Sequence, residues 1–183
     1  MTVSSSVPSS TDWGAYFARI TALVDDRDRI QILSDTADIL DGIIAGHSAA
    51  HMRIRPFVGG WAPNEIFGHL ADTEWVFGYR IRAILCEDEP EILNMNDELW
   101  VSEQRHRERD PAALVKEFRH VREVNLSLWR RMTPPDLKRV GHHDRRGVES
   151  LDTTLTLQAG HDLWHIDQAR RCLAAVAAEQ RVV

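Results

Sequence analysis

Four segments of the chain repeat apolar residues at three- and four-residue steps, and that periodicity leaves few folds open. Ile30, Leu33, Ala37, Leu40, Ile43 and Ile44 form the first stripe, closed by Gly46. The second runs from about Pro63 to Cys86 through Ile66, Leu70, Phe77, Ile81 and Ile84. Pro63 suits its first turn, where the missing N–H costs nothing. The third opens at Asp110-Pro111, an N-cap followed by Pro at N1. Leu114, Phe118, Val121, Leu128 and Met132 line it, Asn125 interrupts it, and Thr133-Pro134-Pro135 ends it. The fourth runs from about Ser150 to Val176. A helix with one apolar stripe must bury it against another element, so four of them predict a helical bundle.

The rest of the chain reads as attachments to that bundle. Trp13, Tyr16, Phe17, Ile20 and Leu23 predict a short leading helix. Residues 1–10 are rich in Ser and read as a disordered tail, leaving 11–183 as one domain. Residues 87–110 read as a long connection with a helical turn or two near Asp97 to Arg105, and 134–148 as a loop. Alternating strand patterns are scarce. Gly68 and Gly78 interrupt the second helix, at about 1 kcal/mol each against Ala unless close packing compensates.

Charge and cysteine content narrow the function. A net charge of −6 argues against a protein that grips a nucleic-acid backbone, which needs a basic face. Cys86 and Cys172 make no CxxC pair, so a cysteine zinc site has no support. Both sit in helical patterns, where cysteine usually acts as a small buried hydrophobe. The N-terminus lacks the basic and apolar regions of a signal peptide, and no apolar run reaches the roughly 18 residues of a membrane span. The expected address is the cytoplasm, with neither membrane nor nucleic acid as partner.

Nine histidines stand out. His161 and His165 are four apart on the fourth helix, so both imidazoles share one face and can reach one ion. That face also carries Thr154, Leu157, Gln168 and Cys172, a mixed stripe where a helix packed only for stability would place Leu or Ile. The bland alternative is a solvent-facing polar stripe. His47 and His51 have the same spacing but follow Gly46, and they read as a solvated helix end. A third ligand must come from elsewhere, and His69, beside Ile66, Leu70 and Thr73, is the best placed. A lone histidine on such a face is more often a hydrogen-bonded core residue. His106, His120, His142 and His143 lie in polar surroundings and rank lower.

The stretch Gly60-Trp61-Ala62-Pro63-Asn64-Glu65-Ile66-Phe67-Gly68-His69-Leu70-Ala71-Asp72-Thr73-Glu74 resembles the first signature of the DinB-like family. His161-x-x-x-His165-x-x-Gln168 resembles the second, and Asn96-Asp97-Glu98-Leu99-Trp100 is similar to a segment between them. The resemblance covers about residues 30–176. It implies an all-α four-helix bundle of up-down-down-up type, here with an extra short N-terminal helix, and usually a homodimer. It also implies one divalent metal ion, zinc or nickel foremost and iron among the others, on His69, His161 and His165.

Three imidazoles leave open positions on an ion, the mark of a catalytic site. Asp72, one turn after His69, is the first candidate for a carboxylate that supports a ligand or acts as general base. Glu74, Asp162 and Asp167 read as surface charge. Characterised members of the family activate a low-molecular-weight thiol such as bacillithiol or mycothiol. The resemblance therefore implies a thiol-dependent transferase acting on a small molecule. A metal-dependent hydrolase and a non-catalytic small-ligand-binding or regulatory bundle are the alternatives.

Overall fold

The computed structural model describes residues 13–180, so the expected tail at 1–10 lies outside the described residues. The four long helices are α2 (Arg29–Ala45), α3 (Pro63–Cys86), α5 (Pro111–Trp129) and α7 (Leu151–Gln180). Their ends follow the sequence signals. Asp28 and Asp110 cap α2 and α5 by accepting backbone N–H groups, and Gly46 closes α2. Glu65 accepts the Ala62 N–H (2.8 Å) at the start of α3. Ser150 caps α7 through its hydroxyl, which accepts the Thr153 N–H (3.1 Å).

α2 and α3 each pack chiefly against α5 and α7, so these two consecutive helices stand diagonally across the bundle. Two apolar clusters fill it. One gathers Leu40, Phe67, Leu70, Phe118 and Leu173, and the other Leu33, Ile81, Ile84, Leu126 and Leu155. α1 (Trp13–Val24) lies along α7. Arg19 stacks on the Trp164 ring at 4.5 Å, and Gly160 allows the closest approach. A Cβ on Gly160 would stand 2.4 Å from the Ile20 carbonyl oxygen.

Two other glycines explain themselves in the same way. A Cβ on Gly68 would meet the His106 ring at 2.1 Å, and one on Gly78 would meet Asn125 at 2.8 Å. The close packing that could offset their low helix propensity is present at both.

The helical turns expected near Asp97 to Arg105 are present, and the rest of the connections depart from the sequence reading. Residues 87–110 hold β1 (Glu91–Ile92), α4 (Asp97–Glu103) and a one-turn 3-10 helix at His106–Glu108. Residues 134–148 are not a loop. They contain α6 (Pro134–Leu137), β2 (Val140–His143) and the start of β3 (Gly147–Ser150). β2 pairs antiparallel with β3 and parallel with β1. These strands are two to four residues long with no apolar alternation, so periodicity could not reveal them. Gly147, with φ +77°, makes the turn between β2 and β3.

Polar residues deep in the bundle also overturn an expectation. Glu74 and Asp162 are not surface charges; both are buried. They flank the buried Arg122, whose Nη2 lies 2.7 Å from Glu74 Oε2 and whose Nη1 lies 2.6 Å from Asp162 Oδ2. Arg122 also donates to the Leu33 carbonyl (2.8 Å), and Thr36 donates to Asp162 (2.7 Å). Asn125, the interruption in the third stripe, donates to Glu74 (2.8 Å). Gln158 donates to the same carboxylate (3.0 Å) and accepts from the Trp129 indole (2.9 Å). Asp167 is a surface residue paired with Arg171.

Cys172 is buried, and burial pushes its thiol up to about 11. Cys86 is exposed, against expectation, because the last turn of α3 rotates it away from the core.

Candidate metal centre

α3 and α7 run side by side, and His69 from one meets His161 and His165 from the other. One ring nitrogen from each lies within 4.8 Å of the others. Nε2 of His69 and Nε2 of His161 are 3.0 Å apart. That separation suits either a single N–H···N bond or two ligands of one ion at about 2.0–2.1 Å each. His69 and His165 are buried and His161 is half-buried.

Burial holds all three imidazoles neutral. Desolvation pushes His69 and His161 well below the ordinary histidine range, and the neighbouring rings add to it. It pulls His165 down to about 4. A neutral imidazole has a lone pair to offer, and three of them suit zinc, nickel, iron or copper.

The surroundings orient one ring fully. Gln168 Oε1 lies 2.8 Å from His165 Nδ1, so it accepts that N–H and leaves the Nε2 lone pair free. The Trp61 ring covers the cluster, with its centroid 4.8 Å from His69 and 6.2 Å from His165. Its indole donates to Glu98 on α4 (3.1 Å). Outside Trp61 and Gln168 lies a small, mainly apolar cleft that Phe57 and Cys172 help to line.

The other two rings are not held this way. The buried Nδ1 atoms of His69 and His161 have no hydrogen-bond partner among the described residues. A buried unpaired polar atom costs about 1–3 kcal/mol, and an ion held on the Nε2 atoms would not supply these Nδ1 partners. What fits a divalent ion is the donor set itself, three imidazole nitrogens within 4.8 Å of one another.

Asp72 stands one turn from His69 but faces elsewhere. Its Oδ2 accepts from His106 Nε2 (2.8 Å) and its Oδ1 from Gln104 Nε2 (2.9 Å). Arg109 Nη1 approaches His106 Nδ1 at 3.5 Å, which fits a proton on Nε2. The sequence reading ranked His106 low for its polar neighbours, yet it is fully buried. The signal that could have found it was Gly68, which leaves room for its ring. His47 lies at the end of α2, its Nδ1 bonded to the Ile43 carbonyl (2.9 Å), and neither it nor His51 joins the cluster. Trp61 is packed over the site, whereas Trp100 is exposed. Arg80, whose charge reaches His161, was not singled out by the sequence.

Known proteins resemble this chain along most of its length. YfiT of Bacillus subtilis (strain 168) is 24% identical over 163 residues, which span 88% of this chain and 92% of YfiT. Its name describes it, provisionally, as a metal-dependent hydrolase. The solved structure of YfiT, described as having an unusual four-helix-bundle topology, matches with a TM-score of 0.74 at 22% identity. That match covers 79% of this chain and 83% of YfiT. No helix among the described residues is long and apolar enough to cross a membrane. Residues 32–169, which include all three clustered histidines, match the family model of the DinB superfamily, and the chain belongs to that superfamily.

Proposed function

We propose that His69, His161 and His165 hold one divalent metal ion and that the protein is a metal-dependent hydrolase of a small molecule. The observation that carries this reading is the convergence of three neutral imidazoles from two helices, two of them buried and one half-buried. An ion bound there supplies Lewis acidity, which lowers the pKa of a water or thiol ligand toward neutrality. The protein residues divide the remaining work. Gln168 fixes the His165 tautomer, and Trp61 shields the rings from bulk water on one side. Asp72 acts by positioning: both its oxygens are engaged by His106 and Gln104, which tie α3 to the segment after α4. The relative's name supports hydrolysis over the alternatives.

Metal analysis of the purified protein beside His165→Ala tests the site. About one equivalent in the wild type and none in the variant is expected; none in either, after incubation with zinc or nickel, overturns it. Asp72→Asn should leave the metal content intact, and an abolished hydrolysis rate at full metal content would restore Asp72 as a general base.

Transfer to a low-molecular-weight thiol is the second reading. Cys172, the cysteine nearest the site in sequence, is a buried and protonated thiol, so a sulfur nucleophile would have to be a separate molecule. A conjugation assay with bacillithiol, mycothiol and glutathione against electrophiles separates the two readings. A homodimer is part of the same proposal. Trp75 and Tyr79 on α3 and Val124 on α5, each more than half exposed, support it, and sedimentation equilibrium tests it.

A further inference from the structure

Among the described residues, Arg80 is a buried cation without a paired anion. It lies on α3 and is only 5% exposed. No carboxylate of the described residues comes within 4.0 Å of it. Its Nη2 donates to the Leu93 carbonyl (2.8 Å), and its buried Nε has no partner. A buried charge left unpaired is costly, so proteins rarely keep one for packing alone.

A second guanidinium shares the region. Arg146, in the turn between β2 and β3, donates from Nε to Glu149 (2.6 Å), while its buried Nη2 has no partner. After burial, Arg146 is the strongest influence lowering Arg80, to about 10. Glu149, Asp97 and Asp144 attract Arg80 but do not compensate. Two like charges with spare buried N–H groups are what an oxyanion would draw together.

Arg80 stands one aromatic ring away from the histidine cluster. The Arg80 guanidinium carbon is 5.9 Å from the Phe77 ring, and that ring is 6.1 Å from His161. Trp13 flanks the other side, with Arg146 at 5.7 Å from its ring.

We propose that Arg80 and Arg146 bind the carboxylate or phosphate of the molecule that reacts at His69, His161 and His165. The location of the reaction rests on the proposed function; the oxyanion site itself does not. The substrate class is then a small organic anion whose charged end lies past Phe77 from its reacting group.

Isothermal titration of inorganic phosphate and of acetate tests this with wild type, Arg80→Met, Arg146→Gln and His165→Ala. At least one anion should bind the wild type and His165→Ala equally, and about tenfold or more weakly in each arginine variant. Acetate alone identifies a carboxylate site, and phosphate alone a phosphate site. Arg146 is on a half-buried hairpin turn, so Arg146→Gln keeps the test valid should Arg80→Met fail to fold. The proposal falls if neither anion binds the wild type, or if affinity is unchanged in both arginine variants. It also falls if binding is lost in His165→Ala, which would place the anion on the metal. Binding retained in His165→Ala while no variant holds metal would overturn the metal reading and leave the oxyanion site standing.

Discussion

Two arginines are buried in the same bundle under opposite conditions. Arg122 has two carboxylates, a backbone carbonyl and the Phe118 ring around it, and only its Nε lacks a partner. Arg80 has one backbone carbonyl and a like charge, and the carboxylates that attract it, Glu149, Asp97 and Asp144, form no ion pair with it. The histidines divide along the same line: His106 is fixed by Asp72, whereas His69 and His161 keep unpaired Nδ1 atoms. One region is a closed polar core that specifies how α2, α3, α5 and α7 fit together. The other is left incomplete, and incompleteness in a buried place points to a guest. A satisfied network stabilises the fold, whereas an unsatisfied one costs stability that ligand binding returns.

The largest effect should come from opening the closed region. Arg122→Met strands two buried carboxylates and should cost about 3–5 kcal/mol, read as a loss of roughly 10 °C or more in thermal unfolding. Acid should act next, on the incomplete region. The folded pKa of His165 is about 4, below its unfolded value of about 6.5, so the unfolded chain binds the proton first. Stability of the metal-free protein should therefore fall as pH drops from about 6.5 to 4. The loss is on the order of 3 kcal/mol for His165 alone, measured by denaturant titration at several pH values. Gln168→Leu removes only the group that orients His165 and should weaken metal binding about 10–100-fold with little change in unfolding temperature. Smallest is Arg80→Met, which removes an unpaired charge and should leave the unfolding midpoint unchanged or slightly raised in anion-free buffer. A loss as large as that of Arg122→Met would erase the contrast between the two regions.

Much of this arrangement is legible in the sequence. The long helices are periodic and capped, so the sequence alone bounds α3 at Pro63 and Cys86. His161 and His165 carry their geometry in their spacing. The placement of His69 beside them came from family resemblance, because which faces of α3 and α7 meet is a tertiary matter. The small sheet escaped because its strands are too short to show a period. Glu74 and Asp162 were misread as surface charges because nothing local marks a carboxylate whose cation comes from a third helix. Arg80 escaped for the opposite reason: its missing partner is a property of the fold, with no local pattern at all.

The contact between Gly160 and Ile20 joins a helix outside the family-matched residues to the turn of α7 that carries His161. Trp13, on the same helix, faces the Arg146 side chain. α1 is thus clamped to the helix that supplies two of the three clustered histidines, and a side chain at position 160 would push the two helices apart at the turn that carries His161.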